Sequence, residues 1–161
     1  MMLDNTERLP LLALALGVMV RRRPDFIVGG AAGPYLKRWH LSPKGDGPAV
    51  YIHEFIRSDD DRALHDHPYA STSLLLRGGY LEHLAAGPVL RQQGEVISRD
   101  AATPHRVELL PDANGALQPV VTMFICGARE REWGFHCPQG WRPWKEFVSA
   151  RDAGAIGVGC G

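Results

Sequence analysis

The sequence predicts an all-β barrel or sandwich preceded by a short helix, and three observations lead there. From about Pro24 onward the chain breaks into segments of four to nine residues rich in Val, Ile, Tyr, Phe and Trp. Clusters of Gly, Pro, Asp and Asn separate them, and many short strands between frequent turns are the signature of a sandwich or barrel. Before Pro24, the leucine- and alanine-rich run ending near Val20 favours helix over strand. Finally, 161 residues suit one domain with a real core.

Taken in order, Thr6 is the expected cap of the first helix, with Glu7 and Pro10 in its early turns. Strands are expected at 35–41, 50–57, 69–77, 80–84, 89–92, 95–98, 105–110, 120–126 and 132–136. Breaks fall at 43–48, 58–61, 78–79, 87–88, 94 and 111–115. A short closing helix is expected within 141–150, followed by a glycine-rich tail that should be loose. The resulting organisation is a helical segment packed on the barrel (1–23), the barrel (24–150) and a flexible tail (151–161).

Eighteen Lys and Arg balance eighteen Asp and Glu. With no net field to hold a phosphate backbone or an anionic membrane, neither nucleic acid nor membrane is an expected partner. The three cysteines, Cys126, Cys137 and Cys160, are odd in number and widely spaced, which points to reduced thiols and a cytoplasmic setting. Cys126 and Cys137 are expected as small buried hydrophobes. The apolar run 11–20 is about half of the ~20 residues a membrane span needs. Its arginines, Arg21 to Arg23, follow it, the reverse of a signal peptide, so export is not expected. Exposed edge strands make a homodimer the expected assembly.

Seven histidines are many for a neutral chain of this size, and His65 and His67 stand one residue apart. In a strand, residues two apart share a face, so both imidazoles would reach one side. The same parity would carry Tyr69, Ser71, Ser73 and Leu75, a wall polar near the histidines and apolar beyond. Asp66, between the two, would point the other way and bond a loop or Arg62. His105 follows Pro104 and opens an alternating segment, Arg106-Val107-Glu108-Leu109, that puts it on an interior face. Three neutral imidazoles bind Zn, Fe, Cu, Ni or Co and leave coordination positions open.

These residues resemble the two motifs of the cupin superfamily, G-x5-H-x-H-x3,4-E-x6-G and G-x5-P-x-G-x2-H-x3-N. His65, His67 and Gly78 match the first, with Asp59 at the opening glycine and Ser71 at the glutamate. Gly94 and His105 match the second, with Asp100, Ala102 and Leu109 at its proline, second glycine and asparagine. The segments 51–57, Asp59-Asp60-Asp61, His65-Asp66-His67-Pro68, Arg77-Gly78-Gly79-Tyr80 and Trp133-Gly134-Phe135-His136 are also similar to a group of small bacterial and phage cupin-like proteins. The resemblance implies a double-stranded β-helix, the jelly-roll barrel of cupins, with one divalent metal on His65, His67 and His105. Iron(II) is the preferred ion, with Zn, Mn or Ni as alternatives. Because Ser71 is a feeble ligand, the site resembles the three-histidine cupins, which include thiol dioxygenases. Asp61, Glu54, Glu82 or water would complete the shell.

Around this centre, Arg57 and Arg77 are candidates to clamp a carboxylate substrate, and His53, Tyr69 and His136 to bind or orient one. For each arginine taken singly, an ion pair at the barrel rim is the simpler reading. The run Asp59 to Asp61 reads most simply as a solvated turn. Trp133, Phe135, Trp141 and Trp144 read as core and closing contacts, one of which would line the barrel mouth. The expected function is a metal-dependent enzyme acting on a small anionic metabolite, with iron(II) dioxygenase chemistry preferred on the resemblance. A non-redox isomerase or lyase, a non-catalytic small-molecule sensor, and a structural barrel without a functional metal are the alternatives.

Overall fold

The structure is a computed structural model, in which residues 1–29, 33–42, 47–59, 63–152 and 155–161 are described. The chain begins with helix α1 (Asn5–Arg21). Strands follow as β1 (Phe26–Val28), β2 (Leu36–His40), β3 (Ala49–Phe55), β4 (Leu64–His65), β5 (Ser71–Arg77) and β6 (Tyr80–Leu84). Then come β7 (Gly87–Arg91), β8 (Val96–Arg99), β9 (His105–Leu109), β10 (Val120–Cys126), β11 (Gly134–Cys137), β12 (Gly140–Pro143) and the single turn α2 (Trp144–Phe147).

Asp4, not Thr6, caps α1. Its Oδ1 accepts the amides of Thr6 (2.7 Å) and Glu7 (3.0 Å), while the Glu7 carboxylate accepts the Asp4 amide, a complete capping box. Leu11, Leu12, Val18 and Met19 of the helix pack on a buried cluster of Trp39, Ile52, Leu76, Val121 and Met123. Buried Arg8 donates to the Leu76 carbonyl at 2.6 Å, tying the helix to the sheet backbone.

All strand pairs are antiparallel and form two six-stranded sheets, ordered β1-β2-β3-β10-β5-β8 and β12-β11-β4-β9-β6-β7. Period-two alternation assigns the faces of the first sheet. Trp39, Ile52, Leu76 and Val121 lie under α1, so Arg38, His53, Leu75, Val120, Thr122 and Phe124 face the second sheet. Leu75, Val120, Ile97, Tyr80, Val107 and Leu109 close one end of the space between the sheets. Gly78, at φ +79°, turns the chain from β5 in one sheet to β6 in the other, and a Cβ on Gly79 would sit 2.6 Å from the Arg91 carbonyl oxygen.

All nine expected strands stand within two residues of their expected ends; the last runs from Gly134 to Cys137 rather than from Glu132 to His136. β1, β4 and β12 were not anticipated, being too short to show alternation. The strand expected from Tyr69 starts at Ser71, so β5 does not reach back to the histidines. The closing helix shrinks to α2, because Gly140–Pro143 pairs with β11 instead.

The cysteines depart most from expectation. Cys137 is neither free nor buried among apolar groups alone but forms a disulfide with Cys160, leaving Cys126 as the free, buried thiol. The cysteine count therefore gives no support for a reducing compartment. Of the tail expected to be loose, residues 155–161 are tethered by that bond, by Arg142 donating to the Gly159 and Gly161 carbonyls, and by a bridge between Val148 and Ile156. No helix among the described residues is long and apolar enough to cross a membrane. Thiol titration of the denatured, unreduced protein should give one reactive thiol per chain, rising to three after reduction. Three thiols without reduction would contradict the bond.

Candidate functional site

Between the sheets lies a cavity of about 340 Å³. Its lining is largely aromatic and apolar, including Phe26, Tyr35, Phe55, Phe124, Trp133 and Phe135, with His65, His67 and His105 grouped on its wall. The three imidazoles offer ligand atoms all within 4.8 Å of one another. Nε2 of His67 lies 2.8 Å from Nε2 of His105, a separation at which two ring nitrogens must share a proton or a cation.

The route to this cluster differs from the simple strand expectation. His65 ends β4 in the second sheet and is directly cross-strand from His105 on β9, which explains their ring separation of 4.9 Å. His67 belongs to no strand. It lies on the connection from β4 to β5, where Pro68 supplies no amide and its carbonyl accepts from Glu130 and Arg131. The pair shares a face because Asp66 between them is turned away and held. Its buried carboxylate accepts from the Gly134 amide (2.8 Å), Trp141 Nε1 (3.0 Å) and His136 Nε2 (3.1 Å), and pairs with Arg131 at 2.9 Å. Asp66 therefore points outward as expected, yet it is 1% exposed rather than solvated.

Electrostatics keeps the cluster ready to bind a cation. Burial holds all three imidazoles below their ordinary range, His67 well below it and His105 at about 3, so they are neutral near pH 7. His67 is further depressed by its neighbours His105 and His65. Nδ1 of His65 is buried without a hydrogen-bond partner, as befits a ring awaiting a ligand. Behind His105, fully buried Glu82 places Oε1 3.0 Å from Nδ1. A proton kept on Nδ1 leaves the Nε2 lone pair facing His67. Burial pushes the Glu82 carboxyl up, but His105, Arg99 and Arg91 together hold it at about 2, so it remains a carboxylate. Arg99 binds both Glu82 and, at 3.3 Å, Ser73, while Arg91 Nε donates to Glu82 at 2.7 Å.

The donor set fits a metal that prefers nitrogen: three convergent neutral imidazoles, one braced by a carboxylate, in a concave site. Of the expected fourth ligands, Glu54 faces the opposite side of β3 and pairs with Lys37 at 3.0 Å. Glu82 stands behind His105 rather than in the cluster. Asp61 lies outside the described residues.

The expected substrate contacts divide. Tyr69 lines the cavity and stacks on His67 at 6.0 Å, with burial raising its phenol to about 12. His53 also lines it, accepting from Arg38 Nε at 2.9 Å. Arg57 donates instead to the Gly33 carbonyl at 2.6 Å and is not part of the lining. Arg77 closes β5 at the end away from the histidines, outside the lining. His136 faces away from the cavity because its neighbour on β11, Phe135, faces in, and it serves Asp66.

Two charged lining residues, Arg38 and Asp59, carry no signal in the sequence that places them there. Arg38 sits mid-strand with no motif to mark it. Asp59 stands where the motif has glycine and belongs to the run expected as a solvated turn, yet it is buried and accepts the Val107 amide at 2.8 Å. Its charge acts on His65, partly offsetting the effect of burial. Asp60 and Arg62 lie outside the described residues. Trp133, Phe135 and Trp144 all line the cavity, whereas Trp141 is spent on Asp66.

No protein-family model and no curated protein matches the sequence. Solved structures do match the fold. The DMSP lyase DddQ from Ruegeria pomeroyi DSS-3 aligns with a TM-score of 0.57 at 14% identity, covering 86% of this chain and 73% of that one. Rru_A2000 from Rhodospirillum rubrum, a cupin-2 domain, aligns at 0.55 and 12% identity, covering 71% and 76%. At such identities the likeness is one of fold. The chain has the cupin fold, a double-stranded β-helix with a cluster of three histidines between its sheets.

Proposed function

We propose that this chain is a metal-dependent cupin enzyme in which His65, His67 and His105 hold one divalent ion and a small anionic metabolite reacts in the adjoining cavity. The observation that carries the reading is the 2.8 Å approach of two imidazole nitrogens, on half-buried His67 and buried His105, with a third imidazole beside them. Three nitrogens on one side of an ion leave its other positions to ligands that enter through the cavity. Iron(II) is the preferred ion and dioxygenase-like oxidation the preferred chemistry; a ferrous centre supplies redox reactivity that no side chain here has. The chain's own part is to keep the imidazoles neutral, to fix His105 through Glu82, and to surround the substrate with apolar walls that exclude water.

A second reading, a non-redox lyase on zinc, manganese or nickel, is favoured by the fold shared with a DMSP lyase. The same ligands serve both readings, and one fold hosts many reactions.

Protein purified without added metal should carry close to one ion per chain, and His65→Ala should lose it. Iron, with dioxygen uptake on addition of small thiol or amino-acid carboxylates, supports the oxidative reading. A non-redox ion and no uptake favours the lyase. No ion after anaerobic reconstitution with iron(II) contradicts both.

Glu82→Gln keeps the shape behind His105 but removes the charge. Its metal affinity should fall by roughly tenfold to a hundredfold, read by competition with a chromogenic chelator. An unchanged affinity in the folded variant would contradict the bracing role.

The buried imidazoles also set a pH dependence. Their pKa values are lower folded than unfolded, where histidine titrates near about 6.5, so below that pH the unfolded chain binds more protons. Stability of the metal-free protein should therefore be level above about 6.5 and fall as pH drops through the window towards 3. Urea midpoints at three pH values measure this. A midpoint unchanged between pH 7 and pH 5 would contradict neutral, buried imidazoles.

A further inference from the structure

Among the described residues that line the cavity, Arg38 is the one permanent cation. It reaches the interior because it occupies an inward position on β2, directly opposite His53 on β3. Its Nε donates to His53 Nε2 at 2.9 Å, and its guanidinium carbon lies 4.9 Å from the centre of the Tyr51 ring. That leaves the outer edge of the guanidinium, with its two terminal nitrogens. No carboxylate among the described residues pairs with it. The contrast with the other inward arginine is instructive: Arg99 is fully engaged by Glu82, Ser73 and Tyr80. A half-buried guanidinium held by a neutral acceptor and an aromatic face, with its fork free, is built to receive an oxyanion.

We propose that Arg38 anchors the carboxylate of a small organic acid, with His53 and Tyr51 holding the guanidinium in place, and that the acid's other end extends towards the three-histidine cluster. This rests on the metal-dependent reading above and specifies its substrate.

The geometry joins the two ends. Phe124 lies 5.0 Å from the His53 ring and 6.0 Å from the His67 ring, so one aromatic side chain separates the anchor from the histidines. The positive charge is felt across the same span, since Arg38 acts on both Tyr69 and His67. One guanidinium suits one carboxylate at this end of the cavity, where the neighbouring walls, Phe26, Phe55 and Phe124, are apolar. A cavity of about 340 Å³ is at the small end of ligand pockets, about 300–1,000 Å³. The acid is therefore compact, with an apolar body. His53 is a positioning residue here: burial and the adjacent Arg38 charge keep it neutral, so it accepts the Nε proton instead of repelling the guanidinium.

The test compares benzoate and propionate with benzamide and propionamide, neutral probes of nearly the same shape, by titration calorimetry or ligand-observed NMR. The wild type should prefer each acid over its amide by about tenfold or more. Arg38→Gln and Arg38→Met should lose the preference while keeping wild-type metal content, and Arg38→Lys should keep part of it. Folding of each variant is checked by its thermal transition, and partial rescue by lysine excludes a merely misfolded glutamine variant. Since a metal ion can also capture carboxylates, the same titration is run on His65→Ala. A preference kept in His65→Ala and lost in Arg38→Gln supports the anchor whatever becomes of the metal reading. A preference kept in Arg38→Gln and lost in His65→Ala would overturn it, as would equal or undetectable binding of acid and amide by the wild type.

Discussion

The buried carboxylate of Asp66 is the contact on which the site depends. Successive residues of an extended chain point to opposite sides, so whatever holds Asp66 outward turns His65 and His67 inward together. Asp66 is held by the Gly134 amide, Trp141, His136 and Arg131, contributed by β11, β12 and the segment before β11. Burial alone would raise its pKa, but these donors outweigh it and keep the group ionised. An ionised, almost fully buried carboxylate has no second comfortable position, and this allows His67, outside any strand, to be placed as firmly as a residue within one.

A parallel device serves His105. Glu82 is wholly buried, as a lone carboxylate would not be, because Arg99, Arg91 and His105 surround it. Replacing such a cluster with apolar side chains is often neutral for stability, so orientation of the imidazole is the better account of its presence. The two halves of the histidine cluster are thus secured from behind by carboxylates that do not enter it. Helix α1 covers the other face of the first sheet and leaves the space between the sheets to the cavity.

Most of the barrel was legible because its strands are long enough to show alternation, as β5 does, or an unbroken run of strand-favouring residues, as β10 does. The two-residue β4 shows no period, so the histidine pair was assigned to one strand when it spans a strand end and a loop. The cluster itself was legible all the same, because spacing to His105 does not depend on how the intervening backbone runs. Glu82 was singled out, but sequence could not distinguish a ligand from a brace. Arg38 was missed because an arginine in an alternating strand reads as a solvent-facing residue, and only the sheet order shows that its face is inward. Arg77 was a candidate through parity with the expected histidine wall, which fails once β4 and β5 lie in different sheets, and Arg57 through parity with His53, which lapses because β3 ends at Phe55. The pairing of Cys137 with Cys160 has no local signal, since it depends on where β11 and the tail meet.

X-ray absorption at the edge of the bound metal, on protein as purified, reads the coordinating atoms themselves. Three imidazole nitrogens at about 2.1 Å, with the remaining scatterers light oxygens, is the predicted first shell of His65, His67 and His105. A shell containing sulfur, or only a single imidazole, would contradict the three-histidine centre on which the functional account rests.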